Sequence, residues 1–303
     1  MNPLSAAVAA IERVVLGKPA QIRLCLACLL ARGHLLIEDV PGVGKTTLAH
    51  TLARVLGLEW RRLQFTSDLL PADVIGVSVF DRGTQQFQFR PGPVFTQLLL
   101  ADEINRASPK AQSALLEAME ERQVSVDGIT HALPEPFFVV ATQNPREQLG
   151  AFGLPESQLD RFLMRVSLGY PDQDSERRLL VAGEVRETLA ATPAVLDAAA
   201  LLAAQRAARA IYVSAALLDY VQALVAQSRT LWRLGLSPRA AQGLVRAAQS
   251  FALLAGERAV LPEHLQAVLP AVAGHRLERR GGSEEADGER LAAELLSSVP
   301  VPV

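Results

Sequence analysis

Two groups of residues in this chain have the types and spacing to act on a phosphate ester. The first is the run Asp39-Val40-Pro41-Gly42-Val43-Gly44-Lys45-Thr46-Thr47, which follows a short apolar stretch and leads into a helical pattern. A strand, a tight loop and a helix N-terminus in succession aim several backbone N–H groups at one point, where the helix dipole adds positive potential. Lys45 can reach terminal phosphates, and the Thr46 hydroxyl can ligate Mg²⁺. The strict pattern wants glycine six positions before the lysine, and this chain has Asp39 there. The second group is Asp102 and Glu103, adjacent acids closing the apolar run 97–101. Asp102 is placed to hold the Mg²⁺ shell and Glu103 to orient or deprotonate an attacking water. Taken alone, such a pair is an ordinary solvated strand end; downstream of a Gly-Lys-Thr loop, the chemical reading is the better one. Asn144, delivered by the apolar run 137–142, offers an amide that can hydrogen-bond the water or a γ-phosphate oxygen, although Asn before Pro also opens turns.

The elements that must hold these groups read as an α/β arrangement. Helical patterns over 6–16 and 20–31 precede a buried strand at 34–38, and a helix from 47 to 56 and a strand at 60–65 follow the loop. Alternating residues around Asp81-Arg82-Gly83-Thr84 and around Asp127-Gly128 predict two β-hairpins, at about 74–93 and 122–135. Phe87 and Phe89 either pack one hairpin face or touch a substrate. Beyond residue 172 strands vanish, alanine rises and helical periodicity dominates, which predicts an all-α second domain over 173–280 after a first domain over 1–172. Residues 281–303, acidic at first and then briefly amphipathic, read as a loosely held tail.

The bulk numbers exclude several classes. A chain of 303 residues with net charge −2 has no global field pulling it to nucleic acid or an anionic membrane. The N-terminus lacks the pattern of a signal peptide and the longest apolar stretch is too short to span a bilayer, so the expected compartment is the cytoplasm. Cys25 and Cys28 form a C-x-x-C inside an apolar helical pattern, without the turn of a redox loop, and read as core.

In this order the landmarks resemble an AAA+ ATPase, and more narrowly the MoxR family. The resemblance is carried by residues 34–46, by the run from Asp102-Glu103-Ile104-Asn105-Arg106 through Glu121, and by Leu154-Pro155-Glu156-Ser157-Gln158-Leu159-Asp160-Arg161-Phe162. It covers about 14–273. It implies an αβα P-loop core with a parallel five-stranded sheet, followed by an all-α lid, assembled as a homo-oligomeric ring, usually a hexamer. Lys45, Thr46, Asp102 and Glu103 match the Walker positions and Asn144 matches sensor 1. Arg161 matches the arginine finger that reaches a neighbour's γ-phosphate. Arg239 matches sensor 2, expected to contact phosphates of its own chain. Gly17 and Lys18 lie where the family's N-terminal segment brushes the adenine. Asp39 is an accepted substitute for the first loop glycine. Arg106 either bridges subunits or caps its loop. The implied activity is Mg²⁺-dependent ATP hydrolysis driving chaperone-like remodelling or cofactor insertion on a partner, with a von Willebrand factor A-type protein as the expected associate. A nucleic-acid translocase or a magnesium-chelatase-like motor subunit is the alternative. The hairpins are poor in Lys and Arg, which speaks against the translocase.

Overall fold

In the computed structural model, which describes residues 2–144, 152–181, 185–279 and 288–301, the chain opens with helices α1 (Pro3–Glu12) and α2 (Pro19–Leu30). Strand β1 (Leu35–Glu38), helix α3 (Lys45–Val55) and strand β2 (Trp60–Gln64) come next. A short α4 (Pro71–Ile75) introduces the hairpin of β3 (Gly76–Asp81) and β4 (Gln86–Pro91). Strand β5 (Leu98–Asp102), a 3-10 turn (Ile104–Arg106) and α5 (Pro109–Glu121) lead to the second hairpin, β6 (Gln123–Val126) and β7 (Ile129–Ala132). Strand β8 (Phe138–Gln143), α6 (Glu156–Leu159) and β9 (Met164–Val166) complete the first half. The rest is helical: α7 (Gln173–Val181), α8 (Val185–Ala191), α9 (Ala198–Arg209), α10 (Ala215–Leu231), α11 (Pro238–Ala255), α12 (Pro262–Ala273) and α13 (Gly288–Ser298).

Five strands form one parallel sheet in the order β2-β5-β8-β1-β9. Its central strands are apolar on both sides because helices cover both faces. The strand alternation divides the core accordingly. Leu35, Ile37, Leu98, Leu100 and Val140 face one apolar cluster, shared with α1, α2, α3 and the helical half. Leu36, Leu99, Ala101, Val139 and Ala141 face the other, covered by α4, α5 and β6. The edge strand β2 is the exception, with exposed Arg61, Arg62 and Gln64. All strand carboxyl ends lie along one edge, where open α/β sheets bind ligands. The two hairpins stand outside this sheet and pack on each other, Phe89 stacking on His131 with ring centroids 3.9 Å apart.

Two expectations need correction. The first helix starts before residue 6, because the Asn2 side chain accepts the Leu4 N–H (3.1 Å) and Pro3 occupies the first turn, where its missing N–H costs nothing. It ends at Glu12, ahead of the left-handed Gly17 (φ 70°). The other correction is to the tail. Residues 288–298 form α13, whose Leu291, Ala292 and Leu295 are buried against α10 and α12. The apolar stripe of this short amphipathic run finds its complement on α12, the helix before it, and on α10, surfaces that the run's own sequence does not announce. The acidic start of that tail lies outside the described residues. Leu295→Ala removes a fully buried side chain and is expected to lower the unfolding free energy by about 2–5 kcal/mol. Urea denaturation checks this, and a change within ~0.5 kcal/mol, as for exposed sites, would contradict the packing of α13.

Candidate active site

Strand β1 delivers the loop 39–44, and α3 starts directly from it. Gly42 (φ 85°) and Gly44 (φ 95°) are left-handed, a conformation that side chains with a Cβ adopt only with strain. A Cβ on either would meet no protein atom within 4 Å, so it is the backbone bend, not crowding, that requires glycine. Gly44 caps α3 without a side chain, so the helix N-terminus and its dipole face the loop, a setting that favours an anion. Lys45 Nζ donates to the carbonyls of Asp39 (2.5 Å) and Val40 (3.3 Å), folding over the loop it must serve. Pro41 is exposed, and Val43, Thr46 and Thr47 are half-buried at the loop's exit.

Asp39 explains why this loop dispenses with its first glycine. Its Oδ1 accepts the Val40 N–H (2.8 Å), and its Oδ2 accepts Ser167 Oγ (3.1 Å) and the N–H groups of Leu168 (2.7 Å) and Gly169 (2.6 Å). An anion beside a phosphate would repel it. Here the carboxylate is instead held by main-chain donors, clasping the loop to the segment that leaves β9 for α7. The same segment receives the N-terminal residues. Lys18 Nζ donates to the Tyr170 carbonyl (2.7 Å), and Gly17 lies so close to Ser175 and Asp172 that a Cβ would collide with both.

The two acids close β5, two strands from β1 with β8 between. Asp102 ends β5 almost buried, its Oδ1 accepting Thr142 Oγ1 (2.5 Å) and its Oδ2 accepting Arg62 Nη2 (2.6 Å) and Nε (3.1 Å). Glu103 follows in a left-handed conformation (φ 56°, ψ 50°), which costs a non-glycine residue of order 1–3 kcal/mol and recurs at functional sites. Its N–H donates to Thr142 Oγ1 (2.9 Å), and its Oε2 accepts Gln64 Nε2 (2.7 Å) and Arg106 Nη1 (2.8 Å). Asn144 is buried immediately after β8. The neighbouring Gln143 carbonyl accepts the Asp39 N–H (3.2 Å), which puts Asn144 beside the loop. So β1, β5 and β8 bring Asp39–Thr46, Asp102–Glu103 and Asn144 to one edge.

Sequence reasoning passed over Arg62, Gln64 and Thr142 as site residues. The signal was there for the first two: polar residues two apart on an edge strand share a face, and β2 pairs Gln64 with Asp102. Arg106 Nη1 pairs with Glu103 Oε2 of its own chain (2.8 Å).

The two arginines lie elsewhere. His34 precedes β1 at the amino edge of the sheet. Its Nδ1 accepts the Val139 N–H (3.0 Å), so the proton is on Nε2 and is donated to the Met119 carbonyl (3.2 Å). That fixes the end of α5, and with it Glu120, at the amino edge. Arg239 Nη2 pairs with Glu120 (2.5 Å). Arg161 precedes β9 at the same edge, in a cavity lined by Glu117, Glu121, Gln123 and Gln158. Five residues of strand rise, about 16 Å, separate this edge from the phosphate loop. In this conformation Arg239 is held by Glu120 at the amino edge, away from the phosphate loop of its own chain. Ser237, which caps α11, hydrogen-bonds Asp160 (3.3 Å) and holds the start of that helix beside Arg161.

Burial lowers the His34 pKa from 6.5 to about 4, with Arg122 adding to the effect. The unfolded chain then binds more protons between these values. The stability that neutral His34 supplies is complete above pH 6.5 and is lost as pH falls toward 4, to a limit of about 3 kcal/mol. Chemical denaturation at pH 7 and pH 5 should show this loss, reduced in His34→Gln; an unchanged pH dependence in the variant would refute the assignment. The cysteines take no part: both are buried and free, and burial pushes the Cys25 thiol up to about 12. Among the described residues there is no cluster of three or more His, Cys, Asp or Glu able to hold a metal, and no helix is long and apolar enough to cross a membrane.

Residues 34–164 match the model of the ATPase family associated with various cellular activities (AAA), and residues 226–295 match the AAA lid domain. The chain is 44% identical to YeaC of Bacillus subtilis over 99% of its own length and 95% of that protein. It is 42% identical to the chaperone MoxR1 of Mycobacterium tuberculosis, over 91% of this chain and 76% of the relative. A crystal structure of a protein from Cytophaga hutchinsonii, assigned as an ATPase, superposes with a TM-score of 0.90 at 33% identity, covering 100% of this chain and 96% of that one.

Proposed function

The chain belongs to the MoxR family of AAA+ ATPases, and from that premise we propose that it couples Mg²⁺-dependent ATP hydrolysis to chaperone-like remodelling of a partner protein. The observation that carries this reading is the split of the machinery between two opposite edges of one sheet. The loop, the acids and Asn144 occupy the carboxyl edge, while Arg161 and Arg239 occupy the amino edge. Each chain thus offers two complementary halves, and hydrolysis is completed between subunits.

In a composite site the work of this chain is positioning and charge neutralisation, which is what phosphoryl transfer to water needs. The loop N–H groups and Lys45 bind the β- and γ-phosphates. Thr46 and Asp102 are the residues that would hold Mg²⁺. One hydroxyl and one carboxylate beside a phosphate cradle suit an ion that keeps several waters and takes the rest of its shell from the substrate. When bound, Mg²⁺ supplies Lewis-acid charge to the phosphate oxygens. Glu103 accepts the proton of the attacking water and Asn144 orients that water. Arg161 and Arg239 of a neighbouring subunit neutralise the leaving charge. Gly17 and Lys18, packed on the segment after β9, border the base.

The partner role follows from the same premise. A ring, hexameric as in the family, works on a client in the cytoplasm, with a von Willebrand factor A-type protein as associate. The exposed Phe80 and Phe87 at the tip of the first hairpin and Ile129 in the second favour a protein client over nucleic acid. The test is phosphate release from ATP with and without Mg²⁺ and with a candidate associate added. Absence of Mg²⁺-dependent turnover defeats the enzymatic reading. Turnover stimulated by single-stranded DNA in a salt-sensitive way transfers the protein to the translocase class.

A further inference from the structure

The finger segment is held by a residue that no motif in the chain singles out. Arg276 leaves the carboxyl end of α12 with its side chain only 6% exposed. Its Nε donates to Asp160 Oδ1 (2.7 Å), and its Nη2 donates to the carbonyls of Asp160 (3.0 Å) and Phe162 (2.6 Å). Its Nη1 donates to the Leu163 carbonyl (3.2 Å) and to the carbonyl of Val272. A guanidinium has five N–H donors. Here all five are engaged, and four go to residues 160–163. His275 adds a contact from the same turn: burial keeps the ring neutral, and Nε2 donates to the Phe162 carbonyl (3.1 Å).

Arg161 lies between the residues so gripped. Its own guanidinium makes no ion pair among the described residues, and its backbone N–H reaches only the Gln158 carbonyl (3.2 Å). Its aim therefore depends on main-chain anchoring on both sides. Asp160 also receives Ser237 Oγ at the start of α11, so the turns carrying Arg161 and Arg239 are tied through one carboxylate to the lid. We propose that Arg276 is a positioning residue for catalysis in the adjacent subunit: it fixes segment 160–163 to the end of α12, so that Arg161 is presented at the neighbour's γ-phosphate and moves with the lid. This rests on the reading that Arg161 completes a site in trans.

The experiment mixes subunits of the full chain. Lys45→Ala subunits keep the finger but lose their own site, and Arg161→Ala subunits keep the site but lack the finger. Their mixture should recover ATP turnover. Arg276→Lys keeps the charge with three donors instead of five. Placed on the Lys45→Ala subunit, it should cut recovered kcat by about 10²-fold, the cost of misplacing a reacting group by about an ångström, with KM for ATP unchanged. Placed on the Arg161→Ala subunit, it should leave recovery intact. Asp160→Asn, tested in the same two placements, should give the same asymmetry with a smaller loss. Equal losses in both placements would reveal a general folding role and overturn the proposal, as would no loss in either. If the unmodified pair forms rings but recovers nothing, the trans reading itself fails.

Discussion

Glu103→Gln is expected to lower ATP turnover by about 10²–10⁴-fold, the usual contribution of a general base, while nucleotide affinity changes little. The two outcomes separate because different residues serve them. Binding rests on the loop of β1 and α3, with Lys45 bent over it and two left-handed glycines exposing its N–H groups. Glu103 lies on a different strand, and its carboxylate is met by Gln64 and Arg106 in its own chain. An amide of the same shape keeps an oxygen for those donors but cannot take a proton from water. The strained backbone at Glu103 and the Thr142 bond to its N–H are untouched by the exchange, so the fold should melt as the parent does. Phosphate release and a titration with a fluorescent nucleotide check both halves. Turnover within a few-fold of the parent would remove Glu103 from the chemistry and leave the strain at that position without a purpose.

Much of this arrangement was legible before any coordinate, and the parts that were not have a common cause. Runs such as 98–101 are apolar at every position and read as strands covered on both faces, while the parallel five-stranded sheet came from the family resemblance. The hairpins announced themselves through turn residues: Asp127 and Gly128 both have positive φ, as that turn demands. What escaped was long-range. Whether the start of α11 faces its own loop or the opposite edge is decided by Ser237 meeting Asp160, 77 residues away. The hold on the finger comes from Arg276, 116 residues from Asp160. The terminal helix is amphipathic in sequence, yet nothing local tells an amphipathic run that a partner surface awaits it on α10 and α12. Asp39 is the instructive case. A loop consensus can register it only as a departure, whereas its four hydrogen-bond donors, three of them from residues 167–169, show it to be the clasp between the loop and the route to the lid.

Arg161→Ala should cost more than the loss of the general base, about 10³–10⁵-fold in kcat, as for an arginine supplied in trans to other nucleotide hydrolases. The size follows from where charge builds up. On the reading proposed above, the loop, Lys45 and Mg²⁺ would stabilise the transferred phosphoryl group from one side, and the next subunit's arginines would stabilise it from the other. A planar guanidinium can meet two of those oxygens at once, so Arg161→Lys should recover little. If Arg161 is the finger, its place at the edge opposite the loop requires a second chain to complete each site. Turnover per subunit of the parent should therefore rise with protein concentration as rings assemble. In Arg161→Ala it should stay low across the same range, although sedimentation shows the same assemblies. Were the variant to keep parental turnover, or a dilute monomer to hydrolyse ATP as fast per subunit as the ring, the two-edged architecture would have to serve something other than a shared site. The cavity that Arg161 shares with Glu117 and Glu121 bears on the same point. Those carboxylates leave the finger in a polar, partly open setting, from which it can exchange solvent and carboxylate neighbours for a phosphate when a partner docks.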